Sequence, residues 1–259
     1  MRITTPFLLL AAWAAILHPG PRASAQTVAD LIAQGDRDRT ALNARGALTH
    51  YEAALALDST NYDALCDAAY ESVDLGEFDS SATERTSLYK RGEQYARRAV
   101  AANPKGADGH FQLARAIGRM ALTMGMLDQV KYGGTEVHNE AMAALAIDPQ
   151  YAGALDVMGV WNEKIMQLNW ATRTIARTIL GGHVMGEASW DNAQRYLEEA
   201  VAAEPNRIIH RLDLGRVYAD RGEKDKAREQ FEWIASAPVT DYNDPNYKRQ
   251  AAEALKSLG

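Results

Sequence analysis

The apolar positions of this chain gather into a phrase that recurs where a helix should close. It reads Ala54-Leu55-Ala56-Leu57-Asp58-Ser59, then Ala99-Val100-Ala101-Ala102-Asn103-Pro104. It returns as Ala144-Leu145-Ala146-Ile147-Asp148-Pro149 and as Ala200-Val201-Ala202-Ala203-Glu204-Pro205. A small residue, an apolar turn, an acid or amide and then a helix stopper predict a tightly packed helix followed by a forced turn. Positions counted from each stopper agree. Twelve residues before it stand Ala47, Gly92, Val137 and Ala193; nine and ten after it stand Ala68-Ala69, Leu113-Ala114, Met158-Gly159 and Leu214-Gly215. Small side chains there let the two helices of a hairpin approach closely, while Leu and Met fill the gaps.

The last unit carries Leu214, Gly215, Tyr218, Gly222, Ala227, Phe231 and Pro238. This resembles the tetratricopeptide repeat, an antiparallel helix pair of 34 residues. The other stoppers lie 45, 45 and 56 residues apart, which exceeds that period by 11, 11 and 22. Eleven residues are close to three helical turns, so a helix lengthened by that amount keeps its face. The extra residues are therefore expected inside the units. They should fall at residues 76–81, before a capping box Ser81-x-x-Glu84, and at residues 120–134, ending in a Gly133-Gly134 turn. The fourth unit has room for a further helix over 170–180, capped by Asn169 and stopped by Gly181-Gly182, with Trp170 and Trp190 pinning it to the body. Asp244-Pro245 should open a capping helix over about 244–258, whose Ala251, Ala254, Leu255 and Leu258 cover the last repeat. The expected fold is an all-α, right-handed α-solenoid of about five tetratricopeptide-like helix hairpins over residues 26–259, with lengthened helices and that C-terminal cap.

Two stretches narrow the resemblance. One is Lys131-Tyr132-Gly133, followed by a helix ending Ala146-Ile147-Asp148-Pro149. The other is Leu168-Asn169-Trp170-Ala171-Thr172-Arg173-Thr174-Ile175-Ala176, with Leu180-Gly181 close behind. Both are similar to the regulator of microtubule dynamics proteins, over roughly residues 40 to 235. The resemblance implies extended repeats, and the family has bacterial members with signal peptides.

Residues 1–25 read as such a signal. Arg2 is followed by an apolar run over 7–17, the breaker His18-Pro19-Gly20-Pro21 and the small residues Ala23-Ser24-Ala25, with cleavage expected after Ala25. The alternative is a retained anchor. The expected location is periplasmic or secreted. The whole chain carries a net charge of −6, and loss of residues 1–25 removes Arg2 and Arg22 and no acid, giving −8. An acidic chain lacks the basic face that nucleic acid requires, and an exported one meets no tubulin.

No reaction centre is legible. The single cysteine, Cys66, excludes an internal disulfide and a thiolate zinc site. Six histidines include no His-Glu-x-x-His spacing, and no nucleophile elbow, P-loop or dinucleotide fingerprint occurs. No enzyme activity, cofactor or metal is expected. In such a solenoid the first helix of each pair lines the concave side. Its outward positions give Asp36, Arg39, Tyr70, Asp74, Phe111, Arg115 and Arg119, then Asp156, Glu163, Lys164, Leu212, Arg216 and Asp220. From these, Tyr70, Phe111, Arg115, Arg119, Asp156, Glu163 and Arg216 form the candidate groove, with the arginines holding acidic groups of a protein or peptide partner. The places where some tetratricopeptide proteins clamp a carboxylate hold Ile32 and Asp36, so that clamp is absent. The alternative function is a lipid carrier enclosing acyl chains, with peripheral membrane association.

Overall fold

A computed structural model describes residues 26–179 and 184–259; the expected signal segment and the Gly181-Gly182 stop lie outside these. The described residues form twelve α-helices and no strand. They run α1 (Val28–Thr40), α2 (Ala44–Leu57), α3 (Tyr62–Glu77), α4 (Ala82–Ala102), α5 (Ala107–Ala121), α6 (Met126–Ile147) and α7 (Ala152–Gln167). Then follow α8 (Trp170–Ile179), a 3-10 turn (Val184–Gly186), α9 (Trp190–Ala203), α10 (Ile208–Asp220), α11 (Lys224–Ser236) and α12 (Asp244–Ser257). Five antiparallel pairs result: α1–α2, α3–α4, α5–α6, α7–α9 and α10–α11, with α12 packed on α10 and α11 as the cap.

Each recurring phrase ends a second helix. α2, α4, α6 and α9 stop at Leu57, Ala102, Ile147 and Ala203, and four residues lead to the next pair each time. At every stop the N–H of the acid or amide donates to the carbonyl of the alanine four residues back, at 2.9 Å. That alanine is fully buried in all four pairs. The small positions work as expected. A Cβ on Gly92 would lie 3.2 Å from the Ala69 carbonyl. One on Gly159 would collide with Leu197, and one on Gly215 with Phe231.

The extra residues lie inside the units, as lengthened second helices: 21 residues in α4 and 22 in α6, against 14 in α2. Ser81 caps α4, its hydroxyl accepting from the Glu84 N–H at 3.3 Å. Gly133-Gly134 is no turn but the interior of α6. Packing overrides the local preference of a glycine pair here. A Cβ on Gly133 would stand 3.0 Å from the Ala121 Cβ, and one on Gly134 would collide with Met185. The bare Gly134 carbonyl also accepts from Trp161 Nε1 at 2.7 Å.

Asn169 caps α8, accepting from the Thr172 N–H at 2.9 Å. Trp170 does not pin this segment, because it stands out into solvent. The pins are Met185, buried against Gly134, and the Ser189 N–H, which donates to the Asn162 side chain at 3.1 Å. Trp190 does pack, in the cluster around Leu197, Leu212 and Phe231. Asn243, not Asp244, holds the N-cap position of α12, with Pro245 in the first turn. The Asp244 carboxylate instead ties down the incoming segment by accepting from the N–H groups of Thr240 and Asp241 at 2.7 and 2.8 Å.

Candidate functional site

The first helices place side chains three and four apart along one inner face. On α5 these are Asp108, Phe111, Gln112, Arg115 and Arg119; on α7 they are Gly153, Asp156, Val157, Val160 and Lys164. Together with α3, α6 and α10 they enclose a cavity of about 790 Å³. All seven candidate residues, Tyr70, Phe111, Arg115, Arg119, Asp156, Glu163 and Arg216, line it. Arg39 and Lys164 line it too. Of the remaining outward positions, Leu212 is core, Asp74 lies buried behind Arg115, and Asp36 accepts from the Tyr51 hydroxyl at 2.8 Å. Asp220 receives a hydrogen bond from Gln167 at 2.8 Å.

The cavity has two ends of different chemistry. Towards α6 the wall is apolar, built from Gly118, Val130, Gly133, Val137, Trp161 and Ile165. An apolar pocket was the expectation only for the alternative function, and its lining was not legible because it depends on Gly133 and Gly134, which look like a turn. A Cβ at Gly118 would meet only Val137, at 3.8 Å, so the chamber has free space there.

The other end is charged, and nearly every charge is already paired within the chain. Arg115 forms an ion pair with buried Asp74, lies 3.9 Å from Glu77 and sits 4.7 Å from the centre of the Tyr70 ring. Arg119 pairs with Glu77 at 2.9 Å. Arg39 bridges Asp67 at 2.9 Å and Glu71 at 2.6 Å. Arg216 holds Asp213 at 2.6 Å, and Lys164 holds Glu163 at 3.1 Å. The expectation that Arg115, Arg119 and Arg216 stand ready for a partner's acids is therefore corrected: their forks are committed to carboxylates one turn away or on the neighbouring helix. Burial lifts the Glu71 carboxyl to about 7 against the pull of Arg39, and lifts Asp74 to about 6 against the pull of Arg115. Burial pulls His210 down, but Asp156 at 2.9 Å and Glu204 at 3.5 Å outweigh it and raise the imidazole to about 9.

The concave side is not an open trough, because the chain closes across it. The Tyr70 hydroxyl in α3 donates to Asp241 at 2.7 Å and also meets Arg207, which reaches Asp241 at 2.9 Å. The fully buried Asn243 amide donates to the Asp74 carbonyl in the last turn of α3, at 3.0 Å. Phe78, just past α3, meets the edge of Tyr247 in α12 at 5.5 Å. Residues about 170 apart in sequence thus form a latch. Asp241, Asn243 and Arg207 carried no signal in the sequence, since their partners depend on how far the four stacked pairs from α3 to α11 curve.

Cys66 is buried and burial pushes its thiol well above the usual range, so it carries little thiolate. No group of three or more His, Cys, Asp and Glu among the described residues could hold a metal ion. No helix among them is long and apolar enough to cross a membrane.

A family model described as "Regulator of microtubule dynamics protein 1-3" matches residues 26–259. The mouse (Mus musculus) regulator of microtubule dynamics protein 1 is 24% identical over 184 residues, covering 69% of this chain and 58% of that protein. The bovine (Bos taurus) protein of the same name is 23% identical over 181 residues, covering 69% and 56%. The chain therefore spans less than two thirds of the length of these curated relatives. A crystal structure of a thermophilic tetratricopeptide-repeat protein from Thermus thermophilus superimposes with a TM-score of 0.65 at 19% identity, covering 89% of this chain and all of that one.

Proposed function

The chain belongs to the regulator of microtubule dynamics family, and we propose that it is a non-enzymatic scaffold of the cell envelope whose cavity receives a segment of a protein or peptide partner. The observation that carries this reading is the cavity itself: an inner face drawn from α3, α5, α7 and α10, deep enough for side chains, with polar groups at one end and an apolar chamber at the other. Because the arginines are already paired, specificity on this reading comes from the apolar chamber, and the charged rim orients the segment. Export through residues 1–25, with cleavage after Ala25, supplies the envelope location.

The plug variant Gly118→Leu tests the reading. It fills free space in the chamber and replaces a helical glycine, so melting should be held or raised. Peptides selected on the purified chain should lose about tenfold or more in affinity for the variant, by fluorescence anisotropy. Peptides that bind both proteins equally would place recognition elsewhere.

The chamber also favours a second reading, a lipid carrier, because Val130, Val137, Trp161 and Ile165 would surround an acyl chain without an unpaired polar group nearby. Native mass spectrometry of the purified chain separates the two. Co-purified lipid that is absent from Gly118→Leu supports the carrier, and an empty wild-type protein removes it.

A further inference from the structure

Helix pairs alternate in direction, so the turns that close the first helices all lie along one edge of the solenoid. On that edge units three and four expose large apolar side chains. Leu122, in the turn after α5, is 44% exposed, Leu127 in the first turn of α6 is 47% exposed, and Trp170 at the start of α8 is 77% exposed. The two units meet here: α8 packs on α6, and Leu122 and Leu168 from the two turns line the same cavity. The turn after α5 is apolar through most of its length, Ala121-Leu122-Thr123-Met124-Gly125-Met126-Leu127. Leaving three such side chains in water is unfavourable, and natural surfaces keep apolar groups together mainly where something covers them.

We propose that this edge docks on a phospholipid bilayer, with Leu122, Leu127 and Trp170 entering the boundary between headgroups and acyl chains. Three features select a bilayer over a folded partner. The apolar groups protrude from turns and a helix start instead of lining a groove, which suits a deformable surface. Tryptophan with leucine, flanked by long cationic side chains, is the composition that settles at a membrane interface. Here the flank is Lys131, whose side chain is 57% exposed and whose ammonium stands 3.9 Å from Asp128. Last, the apolar surface is continuous with the apolar end of the cavity, through Leu122, Val130 and Leu168. The docking goes beyond the scaffold reading and holds whichever ligand the cavity takes.

Cys66 is the only cysteine and is buried, so one added cysteine labels selectively. In the full chain, Leu127→Cys and Trp170→Cys carry an environment-sensitive NBD dye. Gln150→Cys, in the exposed turn after α6 on the opposite edge, is the reference. With vesicles of phosphatidylcholine and phosphatidylglycerol, emission at 127 and 170 should rise and shift to the blue while 150 stays unchanged. Vesicles lacking phosphatidylglycerol should give a weaker rise. The double variant Leu127→Ser, Trp170→Ser, at two positions outside the cavity lining, should partition about tenfold or more less well and still bind selected peptides in the absence of vesicles, which separates failure of this docking from failure of the cavity reading. No rise at 127 and 170, an equal rise at all three sites, or unchanged partitioning of the double variant overturns the proposal. A rise at 127 and 170 that needs only higher protein concentration would assign the edge to a second copy of the chain and overturn it equally.

Discussion

The latch across the concave side gives the sharpest prediction. In Asn243→Ala the Asp74 carbonyl loses the amide that donates to it at 3.0 Å in a fully buried site. The neighbouring Asp241 cannot replace it, because a carboxylate has no proton to donate and this one accepts from Tyr70 and pairs with Arg207. A buried acceptor left without its donor costs about 1–3 kcal/mol. Taking about 2 kcal/mol, a chain of this size should lose roughly 4–8 °C in Tm. The loss should be local. If the segment from residue 240 opens as a unit, amide exchange there and through the first turns of α12 should quicken about 30-fold. Exchange in α4 and α6, which make no contact with the latch bonds, should hold. Hydrogen exchange read by mass spectrometry after brief proteolysis resolves these segments. Unchanged exchange in residues 240–251 would show that the α3 contact does not hold the ring closed. Equal acceleration in all helices would show that the closure is inseparable from global folding.

Two further outcomes follow from the charged end. Arg115→Glu faces Asp74 and Glu77 with a third carboxylate in a largely buried place, and breaking a buried pair this way costs about 3–5 kcal/mol; a variant that melts with wild type would mean the pair contributes nothing. His210, raised to about 9 from 6.5, contributes stability that is fully present below about 6.5 and is lost as pH climbs through about 9. Glu71 and Asp74, raised to about 7 and about 6, bind protons better folded than unfolded, so they too favour the fold at lower pH. Tm should therefore fall between about pH 5 and pH 9, and a Tm that climbs over this window would contradict the burial of the two carboxyls and the ion pairs of His210.

The repeat frame was legible because its signals are local and redundant. Ala54, Ala99, Ala144 and Ala200 each close a helix four residues ahead of the cap, and each is fully buried in its pair. The inner face was legible for the same reason: helical spacing from known ends places Phe111, Arg115 and Arg119 on one side of α5. Three features were not legible. Gly133-Gly134 has the composition of a turn, and only the approach of Ala121 and Met185 makes it a helix interior. Trp170 and Trp190 look alike in sequence, yet one stands in solvent and the other packs, half-buried, against the core. The latch joins α3 to the segment before α12, and no rule of spacing relates positions 70 and 241.

Closure changes what the groove can be. An open solenoid offers a long channel in which paired charges would be rim decoration, worth little each. Here Tyr70, Asp74, Arg115, Arg207 and Asp241 form one largely buried network joining α3 to the segment before α12, so those charges hold the ring shut instead of waiting for a ligand. A partner that needed Arg115 would have to break its pair with Asp74 and leave that buried carboxylate uncompensated, a cost that weighs against recognition through the arginines. The apolar chamber carries no such penalty: filling it displaces water from Val130, Val137 and Ile165 and breaks no existing pair. The free energy of binding should therefore come from the apolar end, and selected peptides should share an apolar anchor more consistently than an acidic one.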